Sequence, residues 1–146
     1  MNTDRQLFRA AVYVIFRNDK NEILLIRRFN TGWRDGEYTL PAGHIDPGET
    51  AVQTCIHEAR EEVGLEIKSE DLQLVHIAHC NKDSNYINFY FNANEYNGVA
   101  KNGEPDKADD LQWMSIDNLD KLPIIDTVKD ALRHIVRGEN LSFWGF

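Results

Sequence analysis

The stretch GHIDPGETAVQTCIHEAREEVGL, residues 43–65 of this 146-residue chain, decides the fold. No Gly or Pro interrupts the chain from Glu49 to Val63, and apolar residues recur there at helical spacing. These apolar residues are Val52, Ile56, Ala59 and Val63. Gly64 follows where a left-handed residue commonly ends a helix. The stretch therefore predicts a tight, glycine-containing loop that leads into a helix.

Three glutamates share one face of this predicted helix. Glu61 and Glu62 lie three and four positions after Glu58, and about 100° per residue puts all three side by side. Like charges at this spacing repel, and a hard divalent cation relieves the repulsion. Mg²⁺ prefers oxygen ligands and is held by one or two carboxylates together with substrate phosphates. The pattern fits a magnesium site, and its alternative is a solvated face with salt bridges to Arg60.

Residues 43–65 resemble the Nudix box: Gly, five residues, Glu, seven residues, then Arg-Glu-aliphatic-any-Glu-Glu-any-Gly-aliphatic. The matching positions are Gly43, Glu49, Glu58, Ala59, Glu61, Glu62, Gly64 and Leu65. One position departs, because His57 stands where the family has Arg, which is thought to pair with the acidic residues of the box. We expect His57 to be a neutral helix residue within hydrogen-bond reach of one acid, without a catalytic role.

The resemblance extends to the segments LLIRR, YTLPAGHIDPGE and LQWMSIDNL, and so covers most of the chain. It implies an α/β Nudix fold, an α/β/α sandwich around a mixed β-sheet. The length fits one domain over residues 1–146. Residues 7–17 and 23–26, rich in β-branched and aromatic side chains around a polar turn, predict a strand hairpin. Further strands are predicted at 38–40, 72–79, 86–92 and 111–116, and a second helix from Pro123 to Gly138.

The resemblance also implies roles for the acidic residues. Glu58 and Glu62 match the positions of metal ligands, and Glu61 that of a further ligand or the catalytic base; all three form the predicted catalytic set. Gly43 belongs to the predicted metal-binding set. Glu104, in the polar stretch 94–110, is the predicted fourth acid, although any acid of that stretch can simply be solvated. The implied cofactor is Mg²⁺, with Mn²⁺ as a possible substitute.

The implied reaction is hydrolysis of a nucleoside diphosphate linked to another moiety. Subgroup signatures of ADP-ribose, NADH and coenzyme A hydrolases are absent, which leaves a MutT-type (d)NTP pyrophosphohydrolase that gives NMP and pyrophosphate. Predicted substrate-binding residues are Arg34, Trp33, Phe29 and Asp126. Aromatic and guanidinium groups suit bases and phosphates, whereas packing explains the first three equally well. An acid at Asp126 also stabilises the start of a helix.

Two rival functions remain open at this stage. A Nudix-fold module that senses a nucleotide or binds a protein without turnover is the first, and the retained acids argue against it. The second is the isomerase branch of the fold, which acts on isoprenoid diphosphates through an added catalytic cysteine. Cys55 lies inside the box helix and does not suit that role.

Composition restricts the partners and the compartment. The net charge of −8 repels a long nucleic-acid backbone, so the expected partner is a small nucleotide rather than extended nucleic acid. Two cysteines, Cys55 and Cys80, are too few for a disulfide scaffold, and no export or membrane segment is recognisable, so we expect a cytoplasmic protein without membrane contact. The aromatic segment LSFWGF is expected to pack on the body or on a second subunit, in a monomer or homodimer.

Overall fold

The computed structural model describes residues 4–82 and 84–146. Its strands are β1 Arg9–Phe16, β2 Glu22–Arg28, β3 Tyr38–Thr39, β4 Ala42–His44, β5 Leu72–Lys82, β6 Ser84–Ala93, β7 Ala108–Ser115 and β8 Leu141–Trp144. Its α-helices are α1 Ala51–Val63 and α2 Asp126–Val136. The strands form a mixed five-stranded sheet, β4-β1-β6-β5-β8, and a three-stranded sheet, β3-β2-β7. The predicted α/β class with a mixed sheet is confirmed.

Successive side chains of a strand point to opposite faces of the sheet, and they form two separate hydrophobic cores. On β1, Val12 and Val14 pack in one core with Ala59 of α1. Ile15 belongs to the other core, which contains Leu132 of α2. Because neighbouring strand residues point to opposite faces, the two helices cover opposite faces of the five-stranded sheet. No helix in the described part of the chain is long and apolar enough to cross a membrane.

The predicted hairpin of β1 and β2 is wrong, although both strands exist. A turn joins them, in which Asn18 Oδ1 accepts hydrogen bonds from the N–H groups of Lys20 and Glu22. A single antiparallel β-bridge, between Arg17 and Ile23, connects the ends of the two strands next to the turn. Beyond it the strands separate. β1 then pairs with β4 and in parallel with β6, whereas β2 pairs with β3 and β7. Both strands are largely buried on both faces, so their apolar runs carried no information about the pairing partner.

Helix α2 begins later than predicted. Pro123 accepts a hydrogen bond from the N–H of Tyr38 at 2.7 Å, and the N–H of Ile125 donates to the carbonyl of Tyr38 at 2.9 Å. These bonds pair the segment with β3, and the helix starts at Asp126. The segment LSFWGF packs on the body, one of the two expected arrangements, and does so as a strand that was not predicted: residues 141–144 form β8 and pair in parallel with β5.

A buried histidine ties the end of α2 to the sheet. His76 of β5 is 1% exposed; its Nδ1 lies 2.8 Å from the carbonyl oxygen of Glu139 and its Nε2 lies 2.7 Å from Ser142 Oγ. The ring of His134 stacks 6.0 Å away and contacts the carboxylates of Asp130 and Glu139. Burial lowers the pKa of His76. The turn between α2 and β8 therefore depends on a neutral imidazole.

This arrangement predicts an acid-sensitive fold. Because the pKa of His76 is lower in the folded than in the unfolded chain, where it is near 6.5, protonation favours unfolding. The free energy of unfolding should therefore fall as the pH drops from about 7 to about 5. His76→Gln should be less stable at neutral pH but lose much of this pH dependence, as measured by guanidinium unfolding at each pH. Ser142→Ala, which removes a partner, should cost about 1 kcal/mol and keep the dependence. An identical pH profile for wild type and His76→Gln would contradict this assignment.

Candidate functional site

Helix α1 is held in place at both ends by its own sequence. Thr50 Oγ1 accepts from the N–H of Gln53 at 3.1 Å, and Gln53 Oε1 accepts from the N–H of Thr50 at 2.8 Å, which is a capping box. Gly64 ends the helix in the left-handed conformation with φ 69°. The helix therefore begins at Ala51, two residues after the predicted start. Its buried face consists of Thr54, Cys55, Ala59 and Val63.

Glu58 and Glu62 form a carboxylate pair between α1 and β4. Their side chains lie close enough for each to alter the pKa of the other, and Glu62 Oε2 accepts a hydrogen bond from the N–H of Ala42 at 3.2 Å. Burial, and then the charge of Glu58, raises the pKa of Glu62 well above its ordinary value. Burial also raises the pKa of Glu58. Two carboxylates in contact can share a proton or bind a cation, and each reduces their mutual repulsion.

Gly43 leaves the space that this pair occupies. A Cβ atom at Gly43 would lie 2.6 Å from Glu58 Oε1 and closer still to the carbons of that side chain. The backbone of Gly43 has no positive φ, so the need for glycine is one of space. Strand β4 and helix α1 therefore approach each other as closely as the Glu58 side chain permits.

The polar stretch after β6 brings the charge of Glu104 within range of the Glu58–Glu62 pair. It passes the end of α1, where the N–H of Lys101 donates to the carbonyl of Val63 at 3.0 Å and that of Gly103 donates to the carbonyl of Glu62 at 2.9 Å. A Cβ atom at Gly103 would collide with the carbonyl oxygen of Glu61. Glu104 is close enough for its charge to contribute to the raised pKa values of Glu58 and Glu62.

Glu61 and His57 lie on the more exposed side of the helix. His57 Nε2 is 2.8 Å from Glu61 Oε1, and its Nδ1 is 3.7 Å from Glu49 Oε2. The side chains of His57 and Glu61 are each about half exposed, at 51% and 49%. The imidazole thus lies between an acid of the loop and an acid of the helix. Glu61 also contributes to the raised pKa of Glu58, which places it beside the pair.

The donor set fits a magnesium ion. In residues 4–82 and 84–146, no three His, Cys, Asp or Glu side chains are already arranged as a metal shell. Mg²⁺ does not require one, because it keeps several waters and uses one or two carboxylates. The Glu58–Glu62 pair supplies such carboxylates, and the repulsion expressed in their raised pKa values is what a cation would relieve. The charges of Glu61 and Glu104 add to the raised pKa of Glu58, so both acids contribute negative potential at this place.

The four predicted substrate-binding residues are placed around the loop after β2. Arg34 Nη2 lies 3.1 Å from Asp126 Oδ1, and Asp126 also accepts from the N–H of Thr127 at the start of α2. The guanidinium of Arg34 lies 5.8 Å from the ring centre of Trp33, which is 56% exposed. Phe29 is 45% exposed. Asp126 therefore lies in the first turn of α2, where its charge favours the helix dipole, and also forms an ion pair with Arg34.

A second set of polar side chains, on the face of the sheet opposite helix α1, was missed from the sequence. Tyr13 pairs with Ala42, and Ala11 pairs with both His44 and Asn88, so these side chains share one face of the sheet. His44 Nε2 lies 3.0 Å from the hydroxyl of Tyr86 on the same face. Burial raises the pKa of Tyr13, to which Glu62 also contributes. A polar residue in an otherwise apolar strand, such as Asn88 in YINFYF, is the signal that would have pointed to this face.

A cavity of about 560 Å³ opens elsewhere, between the β1–β2 turn and the segment after β6. Its lining residues are Arg17, Asn18, Asp19, Glu66, Lys68, Asp71, Asn94, Glu95, Tyr96 and Asn97. None of them is a predicted site residue, so cavity size does not identify the chemical centre here.

Comparison with known proteins identifies the family. The NUDIX domain model matches residues 7–135, and the chain belongs to the Nudix family. It is 33% identical over 102 residues to human 8-oxo-dGDP phosphatase NUDT18, covering 70% of this chain and 30% of that protein. It is 36% identical over 116 residues to the NAD-capped RNA hydrolase NudC of Pseudomonas entomophila, covering 78% and 38%. The chain therefore spans about a third of the length of these relatives.

Solved structures agree on the fold. The MutT NUDIX hydrolase from Burkholderia pseudomallei superposes with a TM-score of 0.78 at 23% identity, over 88% of this chain and 98% of that one. Such a likeness supports the Nudix fold alone.

The carboxylate pair predicts a pH effect that a chelator should reveal. Because the pKa of Glu62 is raised above its unfolded value near 4.5, the folded state binds that proton more tightly. Without divalent metal, the free energy of unfolding should decrease as the pH rises through the folded pKa. Glu62→Gln should then be more stable than wild type at neutral pH, by roughly 1–3 kcal/mol. Adding Mg²⁺ should reduce the difference in the free energy of unfolding between Glu62→Gln and wild type, as measured by chemical unfolding in chelator and in Mg²⁺.

The matched control is Glu66→Gln, an exposed glutamate just after the helix. Its ion pair with Arg60 lowers the pKa of Glu66, so this variant should gain no stability. Equal effects of the two substitutions would contradict a buried, repelling pair.

Gly43→Ala tests the space for Glu58. The added methyl group would displace the Glu58 side chain and should weaken Mg²⁺ binding at least about tenfold, measured by isothermal titration calorimetry. Gly138→Ala is the control, because Gly138 has φ 76° but nothing within 4 Å of an added Cβ. That change should cost about 1 kcal/mol of stability and leave Mg²⁺ binding intact. Unchanged Mg²⁺ affinity in a folded Gly43→Ala protein would remove Glu58 from the metal site.

Proposed function

We propose that this chain hydrolyses a nucleoside diphosphate linked to another moiety, with Mg²⁺ held by Glu58 and Glu62. The main observation is the Glu58–Glu62 pair on the face of α1 that meets β4: burial raises both pKa values, the charge of Glu58 adds to that of Glu62, and the charges of Glu61 and Glu104 add to that of Glu58. A structural helix face would place such acids in solvent, where they need no partner. Family membership supports the same reaction class, since Nudix hydrolases generally use a divalent metal.

Each carboxylate has a part in this proposal. Glu58 and Glu62 would hold the metal, and Glu104 would approach it from the stretch that passes the helix end. When bound, Mg²⁺ would neutralise charge on the phosphate oxygens and lower the pKa of water. We assign the role of base to Glu61, because it is half exposed and therefore open to solvent, whereas Glu58 and Glu62 are committed to each other. His57 would orient Glu61 through the 2.8 Å contact.

The proposed reaction is the attack of water on a phosphorus atom of the substrate. The oxygen of a water molecule forms a bond to one phosphorus, its proton passes to Glu61, and the bridging P–O bond on that phosphorus breaks. For a (d)NTP, the products are NMP and pyrophosphate, which is the MutT-type reaction. The basic residues near the loop after β2, Arg28 and Arg34, would contact the remaining anionic groups.

The substrate proposal rests on the absence of other signatures and on the relatives. No segment like SQPWPFPxS is present, which argues against an NADH-type substrate. NUDT18 is named for 8-oxo-dGDP and NudC for NAD-capped RNA. Oxidised guanine nucleotides and NAD-capped RNA are therefore the alternative substrates to test. The net charge of −8 favours a small nucleotide over extended RNA.

A substrate panel tests the proposal. Purified protein with Mg²⁺ should release pyrophosphate from one class among (d)NTPs, 8-oxo-dGTP, 8-oxo-dGDP, ADP-ribose, dinucleotides and NAD-capped RNA, with phosphate release followed in parallel. Glu62→Gln should lower kcat by about a hundredfold or more, because it removes a ligand of the ion. Glu66→Gln, the same chemical change at an exposed site, should keep wild-type turnover.

Three other results of the substrate panel would contradict the proposed reaction or the proposed site. Release of phosphate from 8-oxo-dGDP alone would replace the MutT-type reaction by a nucleoside diphosphatase. Turnover unaffected by Glu62→Gln would exclude this site. Mg²⁺-dependent nucleotide binding without turnover across the panel would establish the non-catalytic, nucleotide-sensing module instead.

A further inference from the structure

β8 lies at the edge of the five-stranded sheet, and within residues 4–82 and 84–146 no strand pairs with its outer side. Its sequence, Leu-Ser-Phe-Trp, contains no charge and no proline. Soluble proteins usually protect an open edge with lysine, proline, a bulge or a covering segment. β8 has none of the first three, which makes its edge available for pairing.

The register of β8 shows which groups face outward. The carbonyl of Asn140 accepts a hydrogen bond from Ile77 of β5, so Asn140 directs its backbone groups inward. Alternate residues of a strand direct their N–H and C=O groups to the same edge. The backbone groups of Leu141 and Phe143 therefore point away from β5, toward open space.

The side chains of the same two residues form an apolar surface with their neighbours. Leu141 and Phe143 are 48% and 60% exposed, and Phe146 is 75% exposed. The ring of His79 lies at the centre, 5.1 Å from Phe8, 5.9 Å from Phe143 and 4.8 Å from Phe146. We call Phe8, His79, Leu141, Phe143 and Phe146 the aromatic edge surface. Helix α1 packs on β1 and β4 and so leaves this end of the sheet uncovered.

The exposed aromatic area approaches the apolar part of what one side of a dimer interface requires. With about 200 Å² for each phenylalanine side chain, Phe8, Phe143 and Phe146 together expose about 350 Å². A standard interface buries about 800 Å² on each partner, and somewhat more than half of this is apolar. The aromatic edge surface thus supplies most of the apolar contribution of one side.

We propose that two copies of this chain associate through β8, antiparallel about a two-fold axis. Leu141 of one copy would pair with Phe143 of the other, and these residues would exchange backbone hydrogen bonds in both directions, with the two Ser142 residues facing each other at the axis. A second copy fits because the outward groups of residues 141 and 143 are then matched on both chains. The two five-stranded sheets become one continuous sheet, and the aromatic edge surfaces adjoin.

Electrostatics make the proposal more specific. Each chain carries a net charge of −8, so two copies repel at long range, whereas β8 itself is uncharged. Salt screens the repulsion and strengthens apolar contact. The dimer should therefore become tighter as ionic strength rises, opposite to an interface built from ion pairs.

Sedimentation velocity over a wide concentration range tests the pairing. Wild type should show a monomer–dimer equilibrium that shifts toward dimer in added salt. Phe143→Lys should weaken it about a hundredfold or more, because two ammonium groups would be buried without partners. Leu141→Pro removes an outward N–H and should weaken it about tenfold or more, with the pairing to β5 retained. Val99→Lys is the matched control, because Val99 is 86% exposed outside this surface.

Circular dichroism of each variant confirms that the fold persists. A wild-type protein that stays monomeric at every concentration and salt level would overturn the proposal, as would a dimer that both β8 variants retain. Assemblies larger than a dimer would also overturn it, because a two-fold contact closes on itself.

Discussion

The close approach of β4 and α1 at Gly43 is the constraint on which the site depends. Without a side chain at Gly43, Glu58 lies against the strand and beside Glu62, in an environment that penalises both charges. The N–H of Ala42 offsets part of that cost for Glu62. The remaining unfavourable electrostatics raise the pKa values of both side chains, and a divalent cation held by these carboxylates would relieve them. The absence of a side chain at Gly43 thus determines how closely Glu58 can approach β4.

Other parts of the chain support this approach from several directions. The capping box at Thr50 and the left-handed Gly64 fix where α1 begins and ends. The stretch that carries Glu104 satisfies carbonyl groups in the last turn, which a helix otherwise leaves without partners. A loop that pairs with the helix backbone brings its acid to a defined position. The position of Glu104 relative to the Glu58–Glu62 pair is therefore fixed by main-chain hydrogen bonds that its neighbours make to the helix end.

Features that depend on residues close together in the sequence could be predicted, whereas features that depend on distant residues could not. Helix α1 was predicted to within two residues because its period, its cap and its box spacing are local. The hairpin of β1 and β2 was wrong because strand pairing is non-local, and β8 was missed because four residues carry too little pattern. The pair Arg34–Asp126 joins residues 92 positions apart, and the tie from His76 to Ser142 joins residues 66 positions apart. No periodicity encodes such contacts, although the residues of the first were each recognised singly.

The substitution of His57 for the family's arginine shows how the loop is held with fewer donors. A guanidinium has five N–H groups and can bind two carboxylates, whereas a neutral imidazole has one donor and one acceptor. Carboxylates only accept, so a neutral His57 can serve one of its two acids. The distances agree: Glu61 at 2.8 Å is within hydrogen-bond range and Glu49 at 3.7 Å is not. Glu49 has one further contact to the first turn of the helix, at 3.5 Å from Thr54 Oγ1, whose hydroxyl lies nearer to the carbonyl of Thr50 at 3.1 Å. His57 therefore connects to the helix acid Glu61 rather than to the loop acid Glu49, which agrees with the proposed part of His57 in orienting Glu61.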